Sequence, residues 1–202
     1  MEITEATTKY VKFHDTKYGN YEEYYEVNGK KEGSYLQVCE INNRILVKGT
    51  YANGKKNGKF YEFIDFYGWY DTFGIYINDL KEGEWIKIDT YDSKTFEIFN
   101  YKNGVQDGLQ IVKESGEIHI FNCINGIKQG EYKTYMPYKK YKYVDIDYYE
   151  NGESTGYTRM INNNPNITKF KFKFKEDLKE YKYGDMKYYN DYVKKDKHLY
   201  ED

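Results

Sequence analysis

The residue types that carry most enzyme chemistry are sparse in this chain. Three histidines, His14, His119 and His198, offer imidazoles for metal ligation or proton transfer. None stands at a metal-ligand spacing from another His or from a Cys. His119 falls within Glu117-Ile118-His119-Ile120-Phe121, whose alternation predicts a strand and makes His119 a strand residue. The glycine pairs lie in strand-turn-strand context and not before a helix, so they form neither a nucleophile elbow nor a phosphate loop. Acidic residues are many but scattered, and no pair is marked by its spacing. The reading is a non-enzymatic protein with no catalytic residues, no metal site and no cofactor.

Binding chemistry is better represented. Lys169, Lys171, Lys173 and Lys175 alternate with Phe170, Phe172 and Phe174, which predicts a strand with one basic face. That face, with Lys139-Lys140-Tyr141-Lys142, offers ammonium groups to phosphates of a membrane surface or nucleic acid. Lysines on a strand also serve simply to keep it solvated and to discourage edge pairing. The aromatics are the stronger candidates. Tyr35, Phe60, Trp85 and Tyr132, joined by Tyr51 and Tyr76, recur in phase and should line one face of a sheet. Tyr and Trp dominate interface hot spots, so this ladder is the expected site for a protein partner; it would equally stabilise a single-layer sheet by itself.

The elements that position these residues repeat. Asn53-Gly54-Lys55-Lys56-Asn57-Gly58-Lys59-Phe60 is the cleanest copy of Asn-Gly, three residues, Gly, any residue, aromatic. The second glycine recurs as Gly33, Gly58, Gly83, Gly108, Gly130 and Gly156, mostly 25 apart, and the first as Gly29, Gly54, Gly104, Gly126 and Gly152. A worn seventh copy reaches Tyr181, and Thr8 to Phe13 is a half copy. Asn-Gly between alternating β-branched and aromatic residues is a hairpin signal, because both residues tolerate positive φ. A four-residue connection would set Asn53 opposite Gly58, Tyr51 opposite Phe60, Tyr76 opposite Trp85, Cys123 opposite Tyr132 and Phe174 opposite Tyr183. The same count sets Glu26 against Tyr35, Tyr101 against Gln110 and Tyr149 against Thr158. The other face carries Leu36/Val38, Tyr61/Phe63 and Ile86/Ile88. The shorter step between Gly108 and Gly130 is explained by a tight outer turn at Glu114-Ser115-Gly116-Glu117.

This pattern resembles the membrane occupation and recognition nexus (MORN) repeat, in the variant of bacterial antitoxin-type proteins. The resemblance runs from about Thr8 to Tyr189. It implies an all-β, elongated, twisted single antiparallel sheet of tandem hairpins, and a role as interaction module, structural scaffold or antitoxin. The chain departs from the commoner MORN form, which is a little shorter per repeat and places an acidic-Gly-x-Trp signal after the turn. That departure weakens the implied lipid binding.

Composition agrees with a folded repeat. The 202 residues are 39% hydrophobic and 32% charged, yet 20% aromatic with 27 Tyr, and a disordered chain would be poor in aromatics. A net charge of −2 supplies no global attraction to nucleic acid or an anionic membrane. Met1-Glu2-Ile3-Thr4-Glu5 shows no secretory pattern, and Cys39 and Cys123 lie far apart, so a cytoplasmic, reducing location is expected. The expected organisation is one repeat domain over 1–189. Residues 190–202 follow as a tail, with Tyr192, Val193, Leu199 and Tyr200 spaced for a short capping helix. The reading is a scaffold for an unidentified protein partner, with self-association through the sheet edges as a further route. An antitoxin or immunity protein that neutralises a toxin is the alternative. A virion component is the reading if the source is a large DNA virus.

Overall fold

A computed structural model describes residues 7–64, 70–91, 95–136 and 143–161. The lysine-alternating strand, the seventh copy, the proposed capping helix and the Lys139–Lys142 loop lie outside these residues.

The described chain is all strand and turn. The strands are β1 (Thr8–Asp15), β2 (Asn20–Val27), β3 (Lys30–Cys39), β4 (Arg44–Ala52), β5 (Lys55–Lys56), β6 (Gly58–Ile64), β7 (Tyr70–Ile77) and β8 (Leu80–Asp89). They continue as β9 (Phe96–Lys102), β10 (Val105–Gln106), β11 (Gly108–Glu114), β12 (Glu117–Ile124), β13 (Ile127–Met136), β14 (Tyr143–Glu150) and β15 (Glu153–Ile161). All join one antiparallel sheet in chain order; the two-residue β5 and β10 extend the turn ends of their hairpins. The outermost strands β1 and β15 do not pair with each other, so the sheet is open. Thirteen strands in line span about 60 Å at about 4.8 Å each.

Six Asn-led turns close the hairpins. At Asn53-Gly54 both residues have positive φ, 53° and 81°, the requirement of a two-residue turn whose twist matches its strands. Asn78-Asp79 keeps that shape without glycine, at 51° and 71°. The tight outer turn at Glu114–Glu117 forms as expected, with Ser115 and Gly116 at positive φ.

The expected register needs correction. Two-residue turns place Tyr51 opposite Lys56, Tyr76 opposite Lys81, Tyr101 opposite Gln106, Cys123 opposite Lys128 and Glu26 opposite Lys31. Beyond each of these turns the long strand takes in two extra residues at the second glycine. Tyr24 then faces Tyr35, and Phe73 faces Ile86. Gly33, Gly58, Gly83, Gly108 and Gly130 sit in these bulges at positive φ. Adding two residues preserves the alternation of faces, so Tyr76 and Trp85 still share a face as diagonal neighbours. The sixth hairpin differs: Tyr149 pairs with Ser154 and Tyr148 with Gly156, a shift of one, which sets Thr158 opposite Ile146. Gly156 is therefore a ladder residue with ordinary φ and not a turn glycine.

Two mid-strand glycines hold the sheet centre together. A Cβ at Gly49 would lie 2.6 Å from the Phe60 ring, and one at Gly74 would lie 2.1 Å from the Trp85 ring. Their empty positions let Phe60 and Trp85 lie flat across the neighbouring strand. With Tyr76 these two rings form the buried cluster of the molecule, with Val47, Tyr51 and Tyr101 packed around it.

Candidate functional site

The aromatic ladder forms as one chain of rings. Centroid separations run 6.1 Å for Tyr24–Tyr35, 5.2 Å for Tyr35–Tyr51, 5.7 Å for Tyr51–Phe60, 5.1 Å for Phe60–Tyr76 and 4.8 Å for Tyr76–Trp85. Tyr101 continues it at 6.5 Å from Trp85. The pairs from Tyr51 to Tyr101 meet edge-on, and aromatic contacts of this kind add about 0.5–1.5 kcal/mol per pair beyond burial. Tyr132 belongs to a second run, stacked on Phe121 at 4.9 Å and tilted against Tyr149 at 5.9 Å. Between the runs stand Gln110 and Cys123, both buried.

Gln110 takes over a duty that Trp85 performs one repeat earlier. The Trp85 indole N–H donates to the Ile75 carbonyl at 3.1 Å. Gln110 Nε2 donates to the Asn100 carbonyl at 3.2 Å and the Gly108 carbonyl at 3.0 Å, and its Oε1 accepts from Asn100 N–H at 3.0 Å. Each residue donates to the carbonyl at the same place in its bulge, and the Asn100 carbonyl also accepts from Asp107 N–H at 2.9 Å.

The ladder rings are not an exposed groove. Phe60 and Trp85 are 0% and 2% exposed, and Tyr35 and Tyr76 are also buried. A column of lysines two residues before the bulge glycines covers them. Lys31 lies 4.3 Å from the Tyr24 and Tyr35 centroids, Lys56 4.7 Å from Tyr76, Lys81 4.1 Å from Trp85 and Lys128 4.5 Å from Tyr132. Such cation–π contacts contribute about 0.5–2 kcal/mol each, more as water is excluded. Glu22 accepts from Tyr35 Oη at 2.6 Å and from Lys31 Nζ at 3.1 Å. Glu62 plays the same part for Tyr76 and Lys56. Burial and then the Glu22 bond push the Tyr35 phenol up; burial and then the Glu62 charge do so for Tyr76. Tyr51 is pushed up to about 12 by burial and then the Asp79 charge. Burial pulls the Lys81 ammonium down.

Successive hairpins are also tied at their turns. The Gly54 N–H donates to the Lys31 carbonyl and the Gly104 N–H to the Lys81 carbonyl, both at 2.9 Å. The residue before four of the five bulge glycines reaches the next turn: Glu32 accepts from Asn53 N–H at 2.7 Å, Glu82 from Asn103 N–H at 2.8 Å, Asp107 from Asn125 N–H at 3.0 Å and Gln129 from Asn151 N–H at 2.9 Å. These contacts make the turn edge a rigid row.

The opposite face carries Tyr61 and Ile86 as the periodicity placed them, and with them a stripe near the turns that it had not singled out. Across its outer half runs a row of paired apolar residues: Tyr61, Phe73, Ile86, Ile98, Ile111 and Ile120. Nearer the turns the same face exposes Ile75, Ile77, Leu80, Val105, Leu109, Ile124 and Ile127, each 43–52% exposed. These seven leave on the order of 500 Å² of apolar surface, the upper end of what a monomer shows. Their backing is firm. A Cβ at Gly104 would lie 3.2 Å from Leu80, and one at Gly126 would lie 3.1 Å from Val105, so each aliphatic packs on the glycine of the next turn. The spacing could have shown this stripe: the positions flanking each turn are Val27/Lys30, Ala52/Lys55, Ile77/Leu80, Lys102/Val105, Ile124/Ile127 and Glu150/Glu153. On the same face, at the β1–β4 end, a shallow cleft of about 770 Å³ is lined by Tyr10, Tyr21, Tyr25, Leu36 and Val38 among others.

The titratable candidates are dispersed. His119 Nδ1 lies 3.2 Å from Thr134 Oγ1, and its Nε2 lies 3.7 Å from Glu117 Oε2, contacts that tie it to its own strand and the next. His14 bonds Glu40 near the first outer turn. Cys39 and Cys123 are free thiols, and burial pushes the Cys123 thiol up. Among the described residues no three His, Cys, Asp or Glu side chains are grouped to hold a metal ion. No protein-family model fits the chain, and no curated protein matches it in sequence.

Proposed function

We propose that this chain is a non-enzymatic repeat protein of the MORN-like kind, acting as a docking scaffold for protein partners. The observation that carries the reading is the aliphatic stripe from Ile75 to Ile127. It is apolar and half exposed, and it lies on a sheet stiffened by turn-to-turn hydrogen bonds. A rigid surface loses little conformational entropy on binding, and a contiguous exposed apolar patch marks an interaction site. The lysine-covered ladder supports the same reading indirectly, because it supplies the stiffness and leaves the opposite face for contact.

Affinity capture from the native source, wild type against Leu80→Lys/Ile127→Lys, tests this. Both residues are about half exposed, so circular dichroism should show the variant folded. Specific partners, a second copy of the chain included, should be lost from the variant. Equal capture by both proteins would remove the stripe as the site, and turnover of any substrate by the purified chain would overturn the non-enzymatic reading.

A further inference from the structure

The stripe has a polarity along the sheet. At its β3–β5 end one turn-flanking position of each pair is basic, the exposed Lys30 beside Val27 and the exposed Lys55 beside Ala52. In the third to fifth hairpins they are aliphatic, apart from Lys102 beside Val105. At the sixth they are acidic, with exposed Glu150 and Glu153. These two glutamates are direct partners in the β14–β15 ladder. Like charges directly opposite destabilise a strand pair, and a nearby cation relieves that cost.

We infer that the stripe is closed by a second copy of this chain, packed face to face about a two-fold axis through the fourth hairpin. The inference rests on the interaction-scaffold reading and names its partner. A two-fold axis requires a patch that complements itself when reversed. Reversal about Val105 brings the third hairpin (Ile77, Leu80) onto the fifth (Ile124, Ile127) and the second (Lys55) onto the sixth (Glu150, Glu153). Val105 meets its own counterpart. Lys102 keeps its ammonium in water by its long stem while the methylenes pack. Two sheets stack at about 10 Å, a gap that interdigitated Ile, Leu and Val side chains fill. The aliphatics with their charged flanks approach the roughly 800 Å² per partner of a standard interface. A partner of uniform charge would satisfy only one end of the stripe.

The test is sedimentation velocity of the full chain from micromolar to near-millimolar concentration, with four proteins compared. Wild type should be a dimer. Lys55→Glu should weaken the dimer at least tenfold, by setting three carboxylates together at each end. Glu150→Lys/Glu153→Lys should weaken it similarly. Combining all three substitutions reverses both ends and should restore dimerisation to near wild type. Each site is exposed, so the melting temperature of every variant's monomer should stay near wild type, which separates lost association from lost folding. A dimer indifferent to these charges would overturn the proposed packing. A wild-type monomer whose stripe binds a hydrophobic dye would overturn the dimer and leave the heterologous-partner reading standing. A monomer that binds the dye only after residues 162–202 are deleted would overturn both, since the chain would then cover its own stripe.

Discussion

At the residue scale the molecule depends on keeping large polar aromatics neutral inside a single-layer sheet. Tyr35, Tyr61 and Tyr76 each present a hydroxyl to a carboxylate, from Glu22, Asp71 and Glu62 respectively. A phenol donates to a carboxylate only while protonated, and burial already disfavours the phenolate, so all three phenols are raised above the ordinary value of 10.0. An acid with a raised folded pKa keeps its proton in the fold where the unfolded chain has lost it. Its stabilisation is therefore complete below about pH 10 and is lost as pH climbs from there toward the folded value. The expected outcome is a sheet whose urea midpoint is flat up to about pH 9 and falls steeply above pH 10. Absorbance titration should find these tyrosines ionising only as the circular-dichroism signal is lost. Replacing Tyr35 and Tyr76 with Phe should flatten the alkaline fall. A midpoint that drops equally in the double variant would place the alkaline sensitivity elsewhere.

At the element scale each hairpin is a turn, a bulge and a ring, and the third and fourth hairpins solve the bulge differently. In the third, Trp85 lies over Gly74 and caps the Ile75 carbonyl. In the fourth, Phe99 stands in place of that glycine, and Gln110 caps the Asn100 carbonyl. Gln110→Trp alone should clash with Phe99 and cost about 1–3 kcal/mol, the usual penalty of overpacking. Adding Phe99→Gly rebuilds the arrangement of the third hairpin and should recover most of the loss, a coupling readable in a urea double-mutant cycle. Additive effects would mean that ring and glycine are not a unit. The same detail explains what the sequence made legible. Hairpins, their order, the two faces and the short outer turn all follow from Asn-Gly positions and strict alternation. The register does not, because a two-residue bulge leaves alternation unchanged: Tyr76 opposite Lys81 and Tyr76 opposite Trp85 predict the same faces. The coverage of the ladder was equally hidden, since Lys31, Lys56 and Lys81 appear in sequence only as turn lysines. The aliphatic stripe was overlooked for a related reason. Leu80, Val105 and Ile127 flank turns, where apolar residues are usually incidental, and their alignment across repeats emerges only once the true turn length is known.

At the scale of the whole molecule, each long strand pairs in the ladder only with the strands beside it in chain order, so stability should be a chain of nearest-neighbour terms rather than one global value. Those terms are uneven. The continuous rings from Tyr35 to Tyr101 tie the first to fourth hairpins, with Phe60, Tyr76 and Trp85 at the centre. The chain of rings then breaks at Gln110 and Cys123 and resumes at Phe121 and Tyr132. Edge strand β1 contributes half-exposed Tyr10 and Phe13 and gains a neighbour on one side only. Amide hydrogen exchange should therefore protect β6–β9 most, β12–β14 less, and β1 least. Trp85→Ala removes the central ring and should cost about 3–5 kcal/mol of local stability. In a nearest-neighbour sheet that loss is confined: exchange should accelerate across β6–β9 while β12–β14 keep their wild-type rates. An equal acceleration in every strand would instead mean that the bulges and turn-to-turn hydrogen bonds transmit stability end to end. The sheet would then unfold as one cooperative unit despite its repeating construction.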